Sequence, residues 1–169
     1  MMNDQATKQT LSKVIMDQAV NAWVAQSKII SNYFSNENED FYLREIAPGK
    51  NRGIYILGHL VAANDNILPL LGKGEKKYPE LEPIFLTNPD KTSESIPSFD
   101  DLKKMWDAQT AEIEAQMKQI PAEEWLDRHT RVSAEDFSKE PHRNKLSILL
   151  SRTNHTSYHA GQLALLKTK

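Results

Sequence analysis

The sequence predicts an all-α fold, a four-helix bundle that forms one domain over residues 1–169. Four long segments carry apolar residues at helical spacing, and no stretch shows the strict alternation of a half-buried strand. A proline-rich connection separates the second segment from the third. With 169 residues, of which 39% are hydrophobic, the chain is long enough to bury a core without disulfides.

The first segment is predicted to be a helix from about Thr10 to Tyr33. Trp23 and Val24 fall outside its main apolar stripe. Trp23 is predicted to fill either the core or an interface, and the pair could supply a surplus apolar face for a homodimer. The predicted stripe consists of Leu11, Val14, Ile15, Ala22, Ala25, Ile29 and Tyr33.

The second segment is predicted to be a central, buried helix from about Arg52 to Leu71, because it is apolar almost throughout. Pro69 and Gly72 mark its end. The connection that follows, residues 72–97, holds four of the eight prolines and is therefore neither helix nor central strand. A crossover of this length can span the bundle, so the helices it joins are predicted to run parallel.

The third helix is predicted to begin after Ser98. This serine is a suitable N-cap, and Asp100 and Asp101 complement the helix dipole in the first turn. Pro121 ends the segment and is predicted to begin one short turn.

Composition and charge exclude several classes of function. The chain has no cysteine, which excludes disulfides, thiolate metal ligands and a cysteine nucleophile, and which is expected of a cytoplasmic protein. With 21 basic and 23 acidic residues, there is no nucleic-acid footprint. The sequence shows neither an apolar signal core nor the ~18 apolar residues of a membrane span. We therefore expect no nucleic-acid or membrane partner.

Three histidines are the strongest indication of function. His155 and His159 lie four residues apart in the fourth segment, which is predicted to be a helix from about Lys145 to Lys167 with Asn144 as its N-cap. Imidazoles at this spacing project from one helix face about 5–6 Å apart at Cβ, close enough to bind one metal ion. His59, in the middle of the second predicted helix, is the third candidate ligand.

The stripe that holds the pair is polar in its middle and apolar at its ends. Buried polar groups need partners, and a metal ion with bound water would supply one. Arg152 is a candidate for binding an anionic group, and Gln162 for orienting a ligand. Tyr158 is predicted to serve packing and Asp65 to be solvated. The whole stripe comprises Ile148, Arg152, His155, His159, Gln162 and Leu166.

Purely structural explanations of the histidines and of the nearby basic residues remain open. Each histidine could be a buried ring with one N–H bonded to a carbonyl. A metalloprotease is excluded, because the position of its general-base glutamate holds Thr156. The basic residues after Pro141 either complement a helix end or create a positive field that favours an anionic ligand. They are Arg143, Lys145, Arg152, Lys167 and Lys169, and no Asp or Glu accompanies them.

Two motifs resemble signatures of the DinB-like (DinB/YfiT) superfamily. Gly58-His-Leu-Val-Ala-Ala-Asn-Asp65 is similar to the signature of its second helix, and Asn154-His-Thr-Ser-Tyr-His-Ala-Gly-Gln162 is similar to that of its last helix. The order and length of the segments match over nearly the whole chain. One departure is Ala160, where the family often has arginine.

The resemblance implies an up-down-down-up bundle and a divalent metal ion, often nickel or zinc, held by His59, His155 and His159 and completed by water. Members with assigned functions include transferases and isomerases that use low-molecular-weight thiols such as bacillithiol, mycothiol or glutathione. Because this chain has no cysteine, any thiol would have to come from a cosubstrate.

The leading hypothesis is a metal-dependent enzyme, of the thiol-dependent transferase or hydrolase type, that acts on a small electrophilic molecule. Three neutral imidazoles would leave the charge of the ion uncancelled, which lowers the pKa of a bound water or thiol. One rival is a non-catalytic protein that binds metal or small ligands for structure or stress response. Another is a bundle whose histidines are only core residues.

Overall fold

The computed structural model describes residues 2–168, and the side chains of residues 11–167. Within this range the fold is all-α, as predicted, with no strand beyond two isolated bridges. A π-helical turn, Pro83–Thr87, and the 3₁₀ turns Ala122–Leu126 and Leu165–Thr168 supplement the α-helices. The α-helices are α1 (Met2–Tyr33), α2 (Glu39–Tyr42), α3 (Gly53–Asn64), α4 (Ile67–Leu71), α5 (Phe99–Met117), α6 (Ala134–Lys139) and α7 (Lys145–Ala164).

The predicted helix starts agree with the observed caps. The Ser98 hydroxyl accepts a hydrogen bond from the amide of Asp101 at the start of α5. The side chain of Asn144 accepts one from the amide of Ser147 at the start of α7. The second predicted helix is divided into α3 and α4, and Gly72 ends α4 with a φ of 71°, a left-handed conformation that glycine adopts without strain.

The predicted apolar stripe of the first helix is wrong. Leu11, Val14 and Ile15 are exposed, whereas Trp23 is completely buried and Val24 is nearly so. The reason is that α5 and α7 pack against the face that carries Trp23, while the side chains of residues 11–19 are exposed or only partly buried. Trp23 and Val24 are therefore core residues and not a surplus face.

Helix α3 forms the centre of the core. Every residue of α3 except His59 is buried, so the predicted central helix is confirmed. Contrary to the sequence expectation, the stretch Gly53–Leu71 is long and apolar enough to cross a membrane. Because 89% of that stretch is buried inside the protein, its apolar character is explained by the core.

The crossover between α4 and α5 is anchored to α3 at both ends. Near its start, the carboxylate of Asp65 accepts hydrogen bonds from the amides of Lys77 (3.0 Å) and Tyr78 (2.9 Å). Near its end, Asp90 accepts from the amide of Arg52 and forms an ion pair with its guanidinium at 2.7 Å. Asp65, predicted to be solvated, is 6% exposed because these partners surround it.

These anchors give the crossover its direction. The chain passes the carboxyl-terminal end of α3 first and its amino-terminal end last, so α5 begins beside the start of α3. At the other end of α3, Gln109 of α5 donates a hydrogen bond to Asp65 at 3.2 Å. Helices α3 and α5 therefore lie side by side and run in the same direction.

Replacing Asp90 tests the anchor at the amino-terminal end of α3. Burial raises the pKa of Asp90, but the hydrogen bonds and charge of Arg52 outweigh it and hold the pKa below its usual value. The ion pair thus contributes stability above about pH 4 that is lost as the pH falls through the lowered pKa. We expect Asp90→Asn to reduce the free energy of unfolding by about 1–3 kcal/mol at pH 7, measured by urea denaturation.

The control is Asp107→Asn, which removes an exposed helix-surface pair with Lys103. We expect it to change the free energy of unfolding by less than about 0.5 kcal/mol. The difference between the Asp90 variant and the parent protein should shrink as the pH is lowered below 4. An equal effect of both substitutions would contradict a specific role for the Arg52 pair.

Candidate metal centre

The structure brings the three predicted histidines together between α3 and α7. The Nε2 atom of His155 lies 3.0 Å from Nε2 of His59 and 3.1 Å from Nε2 of His159. The potential ligand atoms all lie within 4.8 Å of one another, so the group could hold a metal ion. His159 is buried, whereas His59 and His155 are partly exposed, so the group is open to solvent on one side.

Hydrogen bonds to the far side of two rings fix their tautomers. Nδ1 of His59 donates to the carbonyl oxygen of Phe85 at 2.9 Å, and Nδ1 of His159 donates to Oε1 of Gln162 at 2.7 Å. Both acceptors require a proton on Nδ1, which leaves the Nε2 lone pairs of His59 and His159 free. Nδ1 of His155 is buried and finds no hydrogen-bond partner among the described residues.

The environment keeps two of the imidazoles neutral. Burial, followed by the charges of His159, His59 and Arg152, lowers the pKa of His155 to about 4. Burial and the charge of His59 lower the pKa of His159 to about 4, against a smaller opposing effect of the bond to Gln162. At neutral pH both rings therefore offer lone pairs and do not hold protons that a metal ion would have to displace.

The arrangement fits a divalent ion with imidazole ligands. Zinc–nitrogen bonds of about 2.0–2.1 Å place two nitrogen ligands ~3–3.4 Å apart, depending on coordination geometry. The observed separations of 3.0 and 3.1 Å agree with this range. At least one of these contacts would bring two lone pairs together, because the single hydrogen of His155 can satisfy only one of them. A shared cation removes that conflict.

Phe85 is part of the centre although no sequence pattern indicated it. Its carbonyl lies in the π-helical turn of the crossover, 3.3 Å from the Tyr55 hydroxyl, which donates its shorter hydrogen bond of 2.6 Å to the carbonyl of Asn88 just after that turn. The ring of Phe85 lies directly on Gly58, where a Cβ atom would overlap it. Gly58 thus lets the crossover approach α3 closely enough for the Phe85 carbonyl to reach His59.

Gln162, a predicted candidate, and Tyr158, the residue before His159, both contact the His159 ring. Gln162 contacts His159 directly, as a ligand-orienting residue should. Its Nε2 donates to the hydroxyl of Tyr158 at 3.1 Å, which agrees with the orientation of the amide. Tyr158, predicted to serve packing, is 64% exposed and lies with its ring edge-on to His159.

The charge beside the centre comes from Arg152. This residue lies one turn before His155 on α7, is partly buried, and lowers the pKa of His155. Ala160 is buried in the hydrophobic core and cannot supply charge. Of the five basic residues after Pro141, Lys169 lies outside the described residues.

The sequence also matches a family model, described as the DinB superfamily, over residues 22–163. That range covers most of the chain and includes all three histidines. The chain belongs to the DinB superfamily. A search of curated proteins finds no match. Family membership and the convergent histidines together fit a metal-binding DinB protein.

Replacing Gly58 tests the contact between the crossover and this DinB metal centre. We expect Gly58→Ala to lower the free energy of unfolding by about 1–3 kcal/mol, because the new methyl group overlaps the Phe85 ring. Displacement of the Phe85 carbonyl should also weaken zinc binding about tenfold, measured by competition with a chelator.

Gly161 provides a matched control, because no atom lies within 4 Å of a Cβ added there. Gly161→Ala is expected to stabilise α7 by about 0.5–1 kcal/mol and to leave zinc affinity unchanged. If Gly58→Ala were as harmless as Gly161→Ala, the close approach of Phe85 would not be a requirement of the fold.

Replacing Gln162 tests the support of His159. Gln162→Leu removes the acceptor that fixes the ring, and we expect zinc affinity to fall about 10–100-fold. Gln162→Glu keeps an acceptor and should retain most of the affinity. Tyr158→Phe, which removes only the hydroxyl bonded to Gln162, should have a smaller effect than Gln162→Leu. Isothermal titration with zinc measures all three, and equal affinities would exclude this role.

Proposed function

We propose that this DinB protein is a metal-dependent enzyme that acts on a small electrophilic molecule, as a thiol-dependent transferase or a hydrolase. The observation that carries the proposal is the convergence of three Nε2 atoms, two of which hold free lone pairs because of their Nδ1 hydrogen bonds. A purely structural histidine needs no such convergence, since one N–H bonded to a carbonyl satisfies it.

The protein residues have separate tasks in this proposal. His59, His155 and His159 would hold a divalent ion, nickel or zinc, with their Nε2 atoms. When bound, such an ion supplies a Lewis acid that lowers the pKa of a water or thiol. Phe85 and Gln162 keep two ligand rings in place, which avoids their reorganisation during the reaction.

The nucleophile of the proposed reaction comes from outside the chain. The sequence has no cysteine, so neither a protein thiolate nor a covalent thioester can form. A low-molecular-weight thiol or a water molecule can approach from the side where His59 and His155 are partly exposed. This open side supports a small-molecule substrate. We propose that the protein is located in the cytoplasm. We propose no nucleic-acid or membrane partner.

The arrangement of the helices supports the proposed up-down-down-up four-helix bundle of α1, α3 with α4, α5 and α7. Helices α3 and α5 run in the same direction, as the crossover requires. Trp106 of α5 donates a hydrogen bond to Ser31 near the end of α1, and Lys167 after α7 lies over the ring of Tyr33. The carboxyl-terminal ends of α1 and α7 therefore meet.

A non-catalytic metal-binding or ligand-binding protein is the second candidate. A groove of about 870 Å³ between the middle of α1 and the end of α5 is not lined by any of the three histidines, so a ligand bound there would not contact them. A bound metal would then serve stability alone. This candidate predicts stoichiometric metal and a higher melting temperature, with no turnover of any electrophile.

The decisive experiment compares His159→Ala with His142→Ala, which alters an exposed histidine outside the centre. Protein purified without a histidine tag is loaded with zinc or nickel, and bound metal is measured by mass spectrometry. Glutathione, bacillithiol or mycothiol is then offered with a panel of electrophiles, and thiol consumption is followed with a thiol reagent. The absence of cysteine removes any protein background.

We expect His159→Ala to weaken metal binding by at least about 100-fold and to abolish turnover, because loss of a supporting residue alone costs about 10–100-fold. His142→Ala should match the parent protein in both measurements. Turnover that persists in His159→Ala would overturn the assigned role. Stoichiometric metal without turnover in the parent protein would favour the non-catalytic candidate.

A further inference from the structure

Arg152 carries a charge for which the described residues provide no counter-ion. Its guanidinium forms no hydrogen bond or ion pair with any residue whose side chain is described. Burial lowers its pKa, and the positive charge of Arg131 lowers it further. A partly buried cation next to another cation is unfavourable unless an anion is present for part of the time.

Arg131 approaches the same place from the loop before α6, because its partner Asn66 lies two turns after His59. Helix α7 runs antiparallel to α3, since Leu166 lies against Gly53. Arg152, one turn before His155, therefore lies towards the same end of α3.

The charge of Arg131 is not neutralised by its partner. The Nη2 atom of Arg131 donates to the neutral amide oxygen of Asn66 at 3.0 Å and not to a carboxylate. Glu82 is an acidic residue that Arg131 influences, but its pKa is lowered chiefly by its hydrogen bond with Lys76 and least by Arg131. Glu82 is therefore already paired with Lys76, and the charge of Arg131 remains available.

The position of Arg152 relates this charge to the metal centre. It precedes His155 by three residues and His159 by seven on α7, so all three side chains project from one helix face. Arg152 also lies close enough to lower the pKa of His155. An anionic group held by Arg152 would consequently lie beside a molecule bound at the histidines.

We propose that Arg152 and Arg131 form an oxyanion-binding subsite that holds the carboxylate or phosphate group of the substrate or cosubstrate beside the three histidines. This inference rests on the proposed function and narrows its substrate class to small molecules that carry an oxyanion. Guanidinium groups suit this task because their planar N–H pairs match two oxygens of a carboxylate or phosphate. The guanidinium donors of Arg152 have no partner among the described side chains, and Asn66 holds Arg131 in position.

The subsite is tested with inorganic phosphate and with acetate as separate probes. The arginine Nε–H signals are followed by ¹H–¹⁵N NMR at low ionic strength during each titration. Both the zinc-loaded and the metal-free protein are used, so that binding to the arginines is separated from binding to zinc. Tighter binding of phosphate indicates a phosphoryl group on the natural ligand, and tighter binding of acetate indicates a carboxylate.

The variants are Arg152→Met, Arg152→Lys and Arg131→Met, with Arg44→Met as the matched control. Arg44 lies before α3, over the ring of Phe41, and its replacement by methionine removes one positive charge, as the other two methionine substitutions do. We expect the Arg152 and Arg131 signals to shift saturably, with or without zinc. The methionine variants at 152 and 131 should raise the Kd of the preferred probe about tenfold or more. Arg152→Lys should fall between, and Arg44→Met should match the parent.

The proposal is overturned if Arg152→Met leaves both affinities unchanged, or if all arginine signals shift alike without saturation. Thermal unfolding shows whether each variant is folded. If Arg152→Met does not fold, the comparison uses Arg131→Met, because Arg131 is exposed and its replacement should not disturb the core. Zinc content separates the two proposals. A protein that binds no zinc but binds phosphate at the arginines would refute the metal enzyme and retain the subsite.

Discussion

The carbonyl oxygen of Phe85 connects the fold of this protein to its site. It accepts a hydrogen bond from His59 and lies 3.3 Å from the hydroxyl of Tyr55, one turn earlier on α3, which donates at 2.6 Å to the carbonyl of Asn88 in the same crossover. The Phe85 carbonyl reaches His59 only because the crossover lies flat on α3, where Gly58 leaves room for the Phe85 ring. The crossover is held there by Asp65 and by the pair of Arg52 with Asp90. Loss of any of these contacts would therefore displace the Phe85 carbonyl and the His59 ring that it holds.

The three histidines lie at the edge of the hydrophobic core, where burial of polar rings is energetically unfavourable. Burial makes their charged forms costly and lowers the pKa of His155 and His159 to about 4. The same burial makes them better ligands, because a neutral ring has a free lone pair and no proton for a metal ion to displace. A cation bound by these rings would restore stability to the folded protein, since a ligand that binds only the folded state stabilises it.

The sequence predicts those features that depend on local chemistry. The caps Ser98 and Asn144 and the spacing of His155 and His159 are of this kind, because short-range geometry determines them. The predicted buried face of α1 was wrong because large apolar residues lie on both sides of this helix. Only the packing of α5 and α7 determines that the side with Trp23 is the buried one. The Phe85 carbonyl could not be predicted, since every residue has a backbone carbonyl and only the tertiary fold brings this one to His59.

The charges around the centre and the composition of the chain favour the same kind of ligand. The neutral rings of His155 and His159 would cancel none of the charge of a divalent ion, and the described residues give the Arg152 guanidinium no counter-ion. The local field is therefore positive, and it attracts anions while it repels cationic molecules. In the proposed thiol-dependent reaction, a chain without cysteine would take its thiol from solution. A thiol that also carries a carboxylate satisfies both requirements, because its sulfur and its oxyanion can bind at neighbouring positive groups.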